Sequence, residues 1–235
     1  QHEMSQKIIV VANRKGGTGK TTLSYNLGAA YALDDKRVCF IDLDSQANLT
    51  MLCRAKPSTL DNFKAGHTVG LSGVLSLLPA TKAFQMLENE INARIDRNSY
   101  MRDEVLPKLA GFDYVIIDTA PSLSILNINA FCIADMVHIV VNADAFSLSG
   151  LVEMRQILGQ VKAINPKLDW RIVLNAAHKG RNITAAALEA LRNEPGYSGI
   201  EIPNRQHFVD SNARLQPSLD LDEIRDPFQA LKAVI

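Results

Sequence analysis

The chain has 235 residues, 47% of them hydrophobic, enough to bury a full core as one α/β domain. Lysine plus arginine and aspartate plus glutamate number 25 each, so no overall field draws the protein toward polyanions, and any nucleic-acid contact must come from a local patch. Cys39, Cys53 and Cys132 form no C-x-x-C pair, which argues against an iron–sulfur carrier and for buried thiols in a reduced, cytoplasmic setting; no apolar run is long enough to cross a bilayer.

In chain order, short apolar runs alternate with helical periodicity, the pattern of a mainly parallel sheet with helices on both faces. Strands are predicted at Lys7–Ala12, Arg37–Asp42, Phe112–Asp118, His138–Asn142, Arg171–Asn175 and, briefly, Ile200–Ile202. Continuous runs such as Val115-Ile116-Ile117 suit strands buried on both sides. A helix over Thr21–Leu33 places Leu23, Leu27, Ala30 and Tyr31 on one stripe, and one over Ser149–Ala163 does so with Leu151, Met154, Ile157, Leu158 and Val161. Arg54–Gly73, with Pro57, Gly66, Gly70 and Gly73, reads as a partly irregular excursion. Near the end, Pro227 is predicted to open a short helix whose Phe228, Leu231 and Ile235 dock on a core. With no linker or repeat, residues 4–235 are expected to form one domain.

The segment Asn13-Arg14-Lys15-Gly16-Gly17-Thr18-Gly19-Lys20-Thr21-Thr22 lies between the first strand and the first helix. That is the setting of a phosphate-binding loop, in which glycines let successive N–H groups turn inward and the helix start adds positive potential. Lys20 supplies a point charge for β- and γ-phosphates, and the Thr21 hydroxyl suits Mg²⁺. The pattern G-x-x-x-x-G-K-[ST] is broken at its first position by Arg14, and a second lysine, Lys15, stands before Gly16-Gly17. Asp44 and Asp118 come at strand ends, where an open parallel sheet places its ligand crevice. Asp118 is suited to hold Mg²⁺ through water, and Asp44 to orient an attacking water. Asp42, two residues before Asp44, must be paired or lie near a metal, since an isolated buried charge is too costly.

These residues resemble the ParA/MinD superfamily of deviant Walker-A P-loop ATPases, whose signature is K-G-G-x-G-K-T-T. The likeness continues at Phe40-Ile41-Asp42-Leu43-Asp44-Ser45-Gln46-Ala47-Asn48, with Ser45 where the family often has proline, and at Tyr114-Val115-Ile116-Ile117-Asp118-Thr119-Ala120-Pro121-Ser122. It implies a single-domain α/β P-loop NTPase fold with ATP and Mg²⁺ as cofactors. It also implies catalytic roles for Lys15, Lys20, Asp44 and Asp118, and phosphate contacts from Gly16, Gly17, Thr18, Gly19, Lys20, Thr21 and Thr22. Metal contacts would come from Thr21, Asp44 and Asp118, and adenine contacts from Asn175 and Pro203. Lys15 is implied to reach across a homodimer to the phosphates of the other subunit.

A ParA-type protein of this kind binds DNA without sequence preference as an ATP dimer and is released by a stimulating partner, ParB-like or a cargo adaptor. It would be cytoplasmic, and nucleoid-associated when ATP-bound. The basic candidates for DNA are Lys179, Arg181, Arg205 and Arg214, although Gln206-His207 follow Arg205 where relatives carry arginine. Two other readings stay open. A MinD-like membrane-cycling ATPase needs a basic amphipathic end helix, for which the final ten residues offer one lysine. A P-loop kinase acting on a small molecule would need a substrate lid within Met51–Arg102.

Overall fold

A computed structural model of the chain describes residues 6–142, 148–177, 182–203 and 222–233. Its centre is an eight-stranded sheet: β1 (Lys7–Ala12), β2 (Val38–Asp42), β3 (Val69–Gly70), β4 (Leu75–Leu78), β5 (Tyr114–Asp118), β6 (Met136–Asn142), β7 (Asp169–Ala177) and β8 (Tyr197–Pro203). The spatial order is β3-β4-β2-β5-β1-β6-β7-β8, parallel throughout except for the two-residue edge strand β3. Both faces of the inner strands are buried, hence their continuous Val/Ile composition.

Alternation along β1 divides the core in two. Ile8, Val10 and Ala12 face the layer of α3 (Leu60–Lys64), α4 (Phe84–Asn92), α5 (Ile125–Ile133), α6 (Leu148–Val161) and α7 (Asn182–Leu191). Ile9 and Val11 face α1 (Lys20–Ala32), α2 (Asn48–Leu52) and α8 (Asp222–Ala233). The predicted α1 stripe of Leu23, Leu27, Ala30 and Tyr31 is fully buried, and so are Leu151, Met154, Leu158 and Val161 of α6.

The excursion Arg54–Gly73 is partly irregular, as expected, and holds one short helix, α3, capped by the Thr59 hydroxyl accepting the Asn62 N–H, with Phe63 buried edge-on against Phe84. Two expectations are corrected. The final helix starts at Asp222, so Pro227 lies inside it rather than at its start. Strands also run longer than the apolar periodicity indicated: β6 begins two residues earlier, at Met136, and β7 extends two residues further at each end, from Asp169 to Ala177.

In-register pairing brings the chemistry together. Asp42 of β2 lies beside Asp118 of β5, Asp118 also lies beside Val11 of β1, and Asn142 of β6 pairs with Asn175 of β7. The carboxyl ends of these strands therefore share one edge, and the glycine loop after β1 turns across it.

Candidate nucleotide site

The loop between β1 and α1 is built from left-handed turns. Gly17 has φ 72° and Gly19 φ 92°, conformations that side chains oppose, and a Cβ on Gly19 would sit 2.0 Å from Asn175 Nδ2. With Asp44, Gln46, Asn48 and Pro121, residues 16–22 line an open cleft of about 450 Å³. Gly16 to Thr22 therefore stand together as the sequence indicated, around a concavity at a helix N-terminus.

Lys20 is only 7% exposed, and its Nζ donates to the Lys15 carbonyl at 3.4 Å. Burial lowers its pKa, while the nearby Asp118 and Asp44 carboxylates act in the opposite sense. The Thr21 hydroxyl donates to Asp118 Oδ2 at 2.6 Å, and Ser24 Oγ lies 3.4 Å from Asp118 Oδ1. Burial, then the neighbouring Asp42, push the Asp118 carboxyl up to about 7, against the pull of Thr21 and Lys20. Thr21 and Asp118 thus form an all-oxygen pair of the kind a hard divalent cation takes, 2.6 Å apart beside a buried ammonium.

Asp42 is paired, but with protein rather than at the cleft. Its Oδ2 accepts the Thr50 N–H at 2.8 Å and the Thr50 hydroxyl at 2.7 Å, and its Oδ1 accepts the Asp44 N–H at 3.1 Å. Burial still raises its pKa to about 6. Asp42 thereby shapes the turn that carries Asp44, whose Oδ1 accepts the Gln46 N–H at 2.9 Å at the cleft wall.

Lys15 is exposed, one residue before the glycines of the cleft, and lines a neighbouring cavity with Asn13, Arg14 and Glu153. Its N–H donates to Asn13 Oδ1 at 3.0 Å, and Asn13 Nδ2 donates to the Val140 carbonyl at 2.6 Å, so the second lysine is displayed from a fixed backbone. Arg14, the departure from the usual loop pattern, is ion-paired with Glu153 of α6.

Asn175 lies two residues before the end of β7, its Nδ2 donating to the Thr18 carbonyl at 2.8 Å. The backbone of Pro203 ends β8 opposite Ala177, and its side chain lies outside the described residues. The DNA candidates Lys179, Arg181, Arg205 and Arg214 also lie outside the described residues.

Sequence reasoning missed the props. Asn127, on an α5 whose polar residues are Asn127 and Asn129, donates through Nδ2 to the carbonyls of Ala120 at 2.9 Å and Ser122 at 2.6 Å, pinning the turn after Asp118. The Thr119 hydroxyl ties the same turn to the Val11 carbonyl at 2.8 Å. Two amides, Asn127 and Asn129, inside an otherwise apolar run were the available signal.

Comparison with known proteins agrees with this geometry. A family model described as an AAA domain matches residues 6–170. The chain is 31% identical over 200 residues to the chromosome partitioning protein ParA of Myxococcus xanthus, covering 79% of this chain and 70% of that one. The Cyanothece McdA–ATP complex superposes with a TM-score of 0.86 at 20% identity, over 97% of this chain and 95% of that one. Cobyrinic acid a,c-diamide synthase of Mycobacterium smegmatis, with bound ADP and magnesium, shares the fold at a TM-score of 0.79 and 24% identity, over 89% of this chain and 92% of that one. With its double-lysine loop and two matching aspartate segments, the chain belongs to the ParA/MinD superfamily of deviant Walker-A P-loop ATPases, on the side of the ParA-type partition proteins.

Proposed function

We propose that the chain is a Mg²⁺-dependent ATPase that dimerises on ATP, binds DNA without sequence preference in that state, and is reset when a partner protein stimulates hydrolysis. One observation carries the reading: a buried Lys20 and a Thr21–Asp118 pair meet at a glycine-lined cleft, while Lys15 stands exposed one residue before the first of its glycines. A single triphosphate site uses one lysine at its base, so a second, exposed one on the same loop is suited to phosphates held by another copy.

In this reading the N–H groups of Gly16 to Thr22 and the Lys20 ammonium cradle the triphosphate. Among the described residues no group of three or more His, Cys, Asp or Glu makes a dedicated metal cage, so Thr21 and Asp118 would hold magnesium together with nucleotide oxygens and water. The bound ion supplies positive charge against the phosphates. Asp44, steadied by the Gln46 N–H, orients the attacking water. The membrane-cycling alternative is not favoured by α8, because its Phe228 and Leu231 are buried and its Lys232 donates to the Ala30 carbonyl at 3.3 Å.

The test is sedimentation with Mg-ATP and with Mg-ADP. Wild type is expected to double in mass with ATP alone, and Asp44→Ala to stay dimeric because hydrolysis is blocked. Lys15→Ala is expected to bind ATP yet remain monomeric. Equal masses in both nucleotides would refute the switch, and an equal loss of ATP affinity and dimerisation in Lys15→Ala would place that lysine in its own subunit's site.

A further inference from the structure

Two asparagines tie the backbone of the phosphate loop to the sheet, Asn13 just after β1 and Asn175 near the carboxyl end of β7. Asn13 fixes the front by accepting the Lys15 N–H at 3.0 Å while donating to Val140 of β6 at 2.6 Å. Asn175 fixes the back from near the carboxyl end of β7, donating to the Thr18 carbonyl at 2.8 Å. A trans peptide unit is planar, with its C=O and N–H on opposite sides. Tying the Thr18 carbonyl to Asn175 therefore sends the Gly19 N–H the other way. Gly19 has φ 92°, and it packs so tightly on Asn175 that a Cβ would lie 2.0 Å from Nδ2. Aligned N–H dipoles repel one another when no anion is present, so an untethered loop of this kind would relax. The side chain at 175 opposes that relaxation.

We propose that Asn175 is a positioning residue for the phosphate loop: it sets the anion-binding shape before nucleotide arrives, independently of any contact with a base. The inference rests on reading the cleft as an ATP site, and it deepens that reading by making one side chain common to the base end and the phosphate end. Preorganisation of this kind raises affinity by lowering the ordering cost of binding.

A ligand without a base separates the two roles. Calorimetric titrations of wild type, Asn175→Ala and Asn175→Asp would use Mg-ATP and Mg-tripolyphosphate. Loss of one neutral hydrogen bond should weaken both ligands about five- to ten-fold in Asn175→Ala, leaving the ATP-to-tripolyphosphate affinity ratio within about two-fold of wild type. Asn175→Asp, nearly the same shape, should weaken both further, since a carboxylate would face the Thr18 carbonyl; it also serves if the alanine variant does not fold. Weaker ATP binding with unchanged tripolyphosphate binding would make Asn175 a base contact alone and overturn the proposal. So would unchanged affinity with reduced stoichiometry, the mark of a fold-wide defect. Wild type that binds neither ligand would sink the ATP reading itself, whereas wild type that binds both while the variants keep their tripolyphosphate affinity sinks only this inference.

Discussion

Thr18 separates what the loop does with its backbone from what it does with its side chains. The residue is 1% exposed, and its Oγ1 has no hydrogen-bond partner among the described residues, while its carbonyl is held by Asn175. An unpaired buried hydroxyl costs about 1–3 kcal/mol. Thr18→Val keeps the shape and removes that cost, so it should leave ATP affinity unchanged and raise the thermal midpoint slightly; a several-fold loss of affinity would show that the hydroxyl serves the ligand. Gly19→Ala is the opposite case. Its Cβ would collide with Asn175 in a conformation side chains disfavour, and nucleotide binding should be lost. The glycines and lysines of this loop were legible in the sequence, because few backbone geometries other than an anion cradle call for them at that spacing. The amide props were not. Asn13 meets Val140 across 127 residues, and Asn127 gives no local sign that it reaches back to Ala120 and Ser122.

At the scale of one strand, β6 carries a histidine where its neighbours are aliphatic. His138 is fully buried, sits in register between Val11 and Arg171, and neither ring nitrogen has a hydrogen-bond partner among the described residues. Burial, with a smaller effect from Arg171, lowers its pKa to about 4. The sign follows from the folded form resisting protonation: this group's contribution to stability is complete above the ordinary histidine value, and it is lost as pH falls from about 6.5 toward 4. Asp42 and Asp118 act in the other direction, since burial raises them to about 6 and about 7 and their penalty grows with rising pH. His138→Leu should therefore gain about 2 kcal/mol more at pH ~5 than at pH ~8, read from thermal unfolding at both values. Equal gains at the two values would mean that the ring titrates alike in the folded and unfolded protein, as it would if solvent reached it. The strand itself was visible from its apolar run, as were β1, β2 and β5. By contrast, β4 is four residues, Leu75-Ser76-Leu77-Leu78, between Gly73 and Pro79, too short for any period to show.

Across the whole molecule, α1 links the site to the rest of the fold. It begins at Lys20, buries Leu23 and Leu27 on the sheet, and receives Phe228 and Leu231 of α8 in the same cluster, with Lys232 over the Tyr31 ring. The nucleotide loop thus runs straight into a rigid, centrally packed element, and in the proposed switch Lys15 on that loop would carry its occupancy to a second copy. That arrangement bears on DNA. The chain carries no net charge, so one copy attracts phosphates weakly, and only a local basic patch could serve. Joining two copies places two patches on one duplex, where the second contact is intramolecular and adds avidity without any new chemistry. Non-specific DNA binding is accordingly expected with ATP and not with ADP. It should fall steeply between about 50 and 200 mM salt as counterions re-associate, with the steepness counting the phosphates neutralised by both copies. Gel shifts of wild type and Lys15→Ala across that salt range measure both effects. Lys15→Ala should shift DNA no better with ATP than wild type does with ADP. Salt-insensitive binding, or equal binding in the two nucleotides, would detach DNA from the switch and leave a protein cargo as the load it positions.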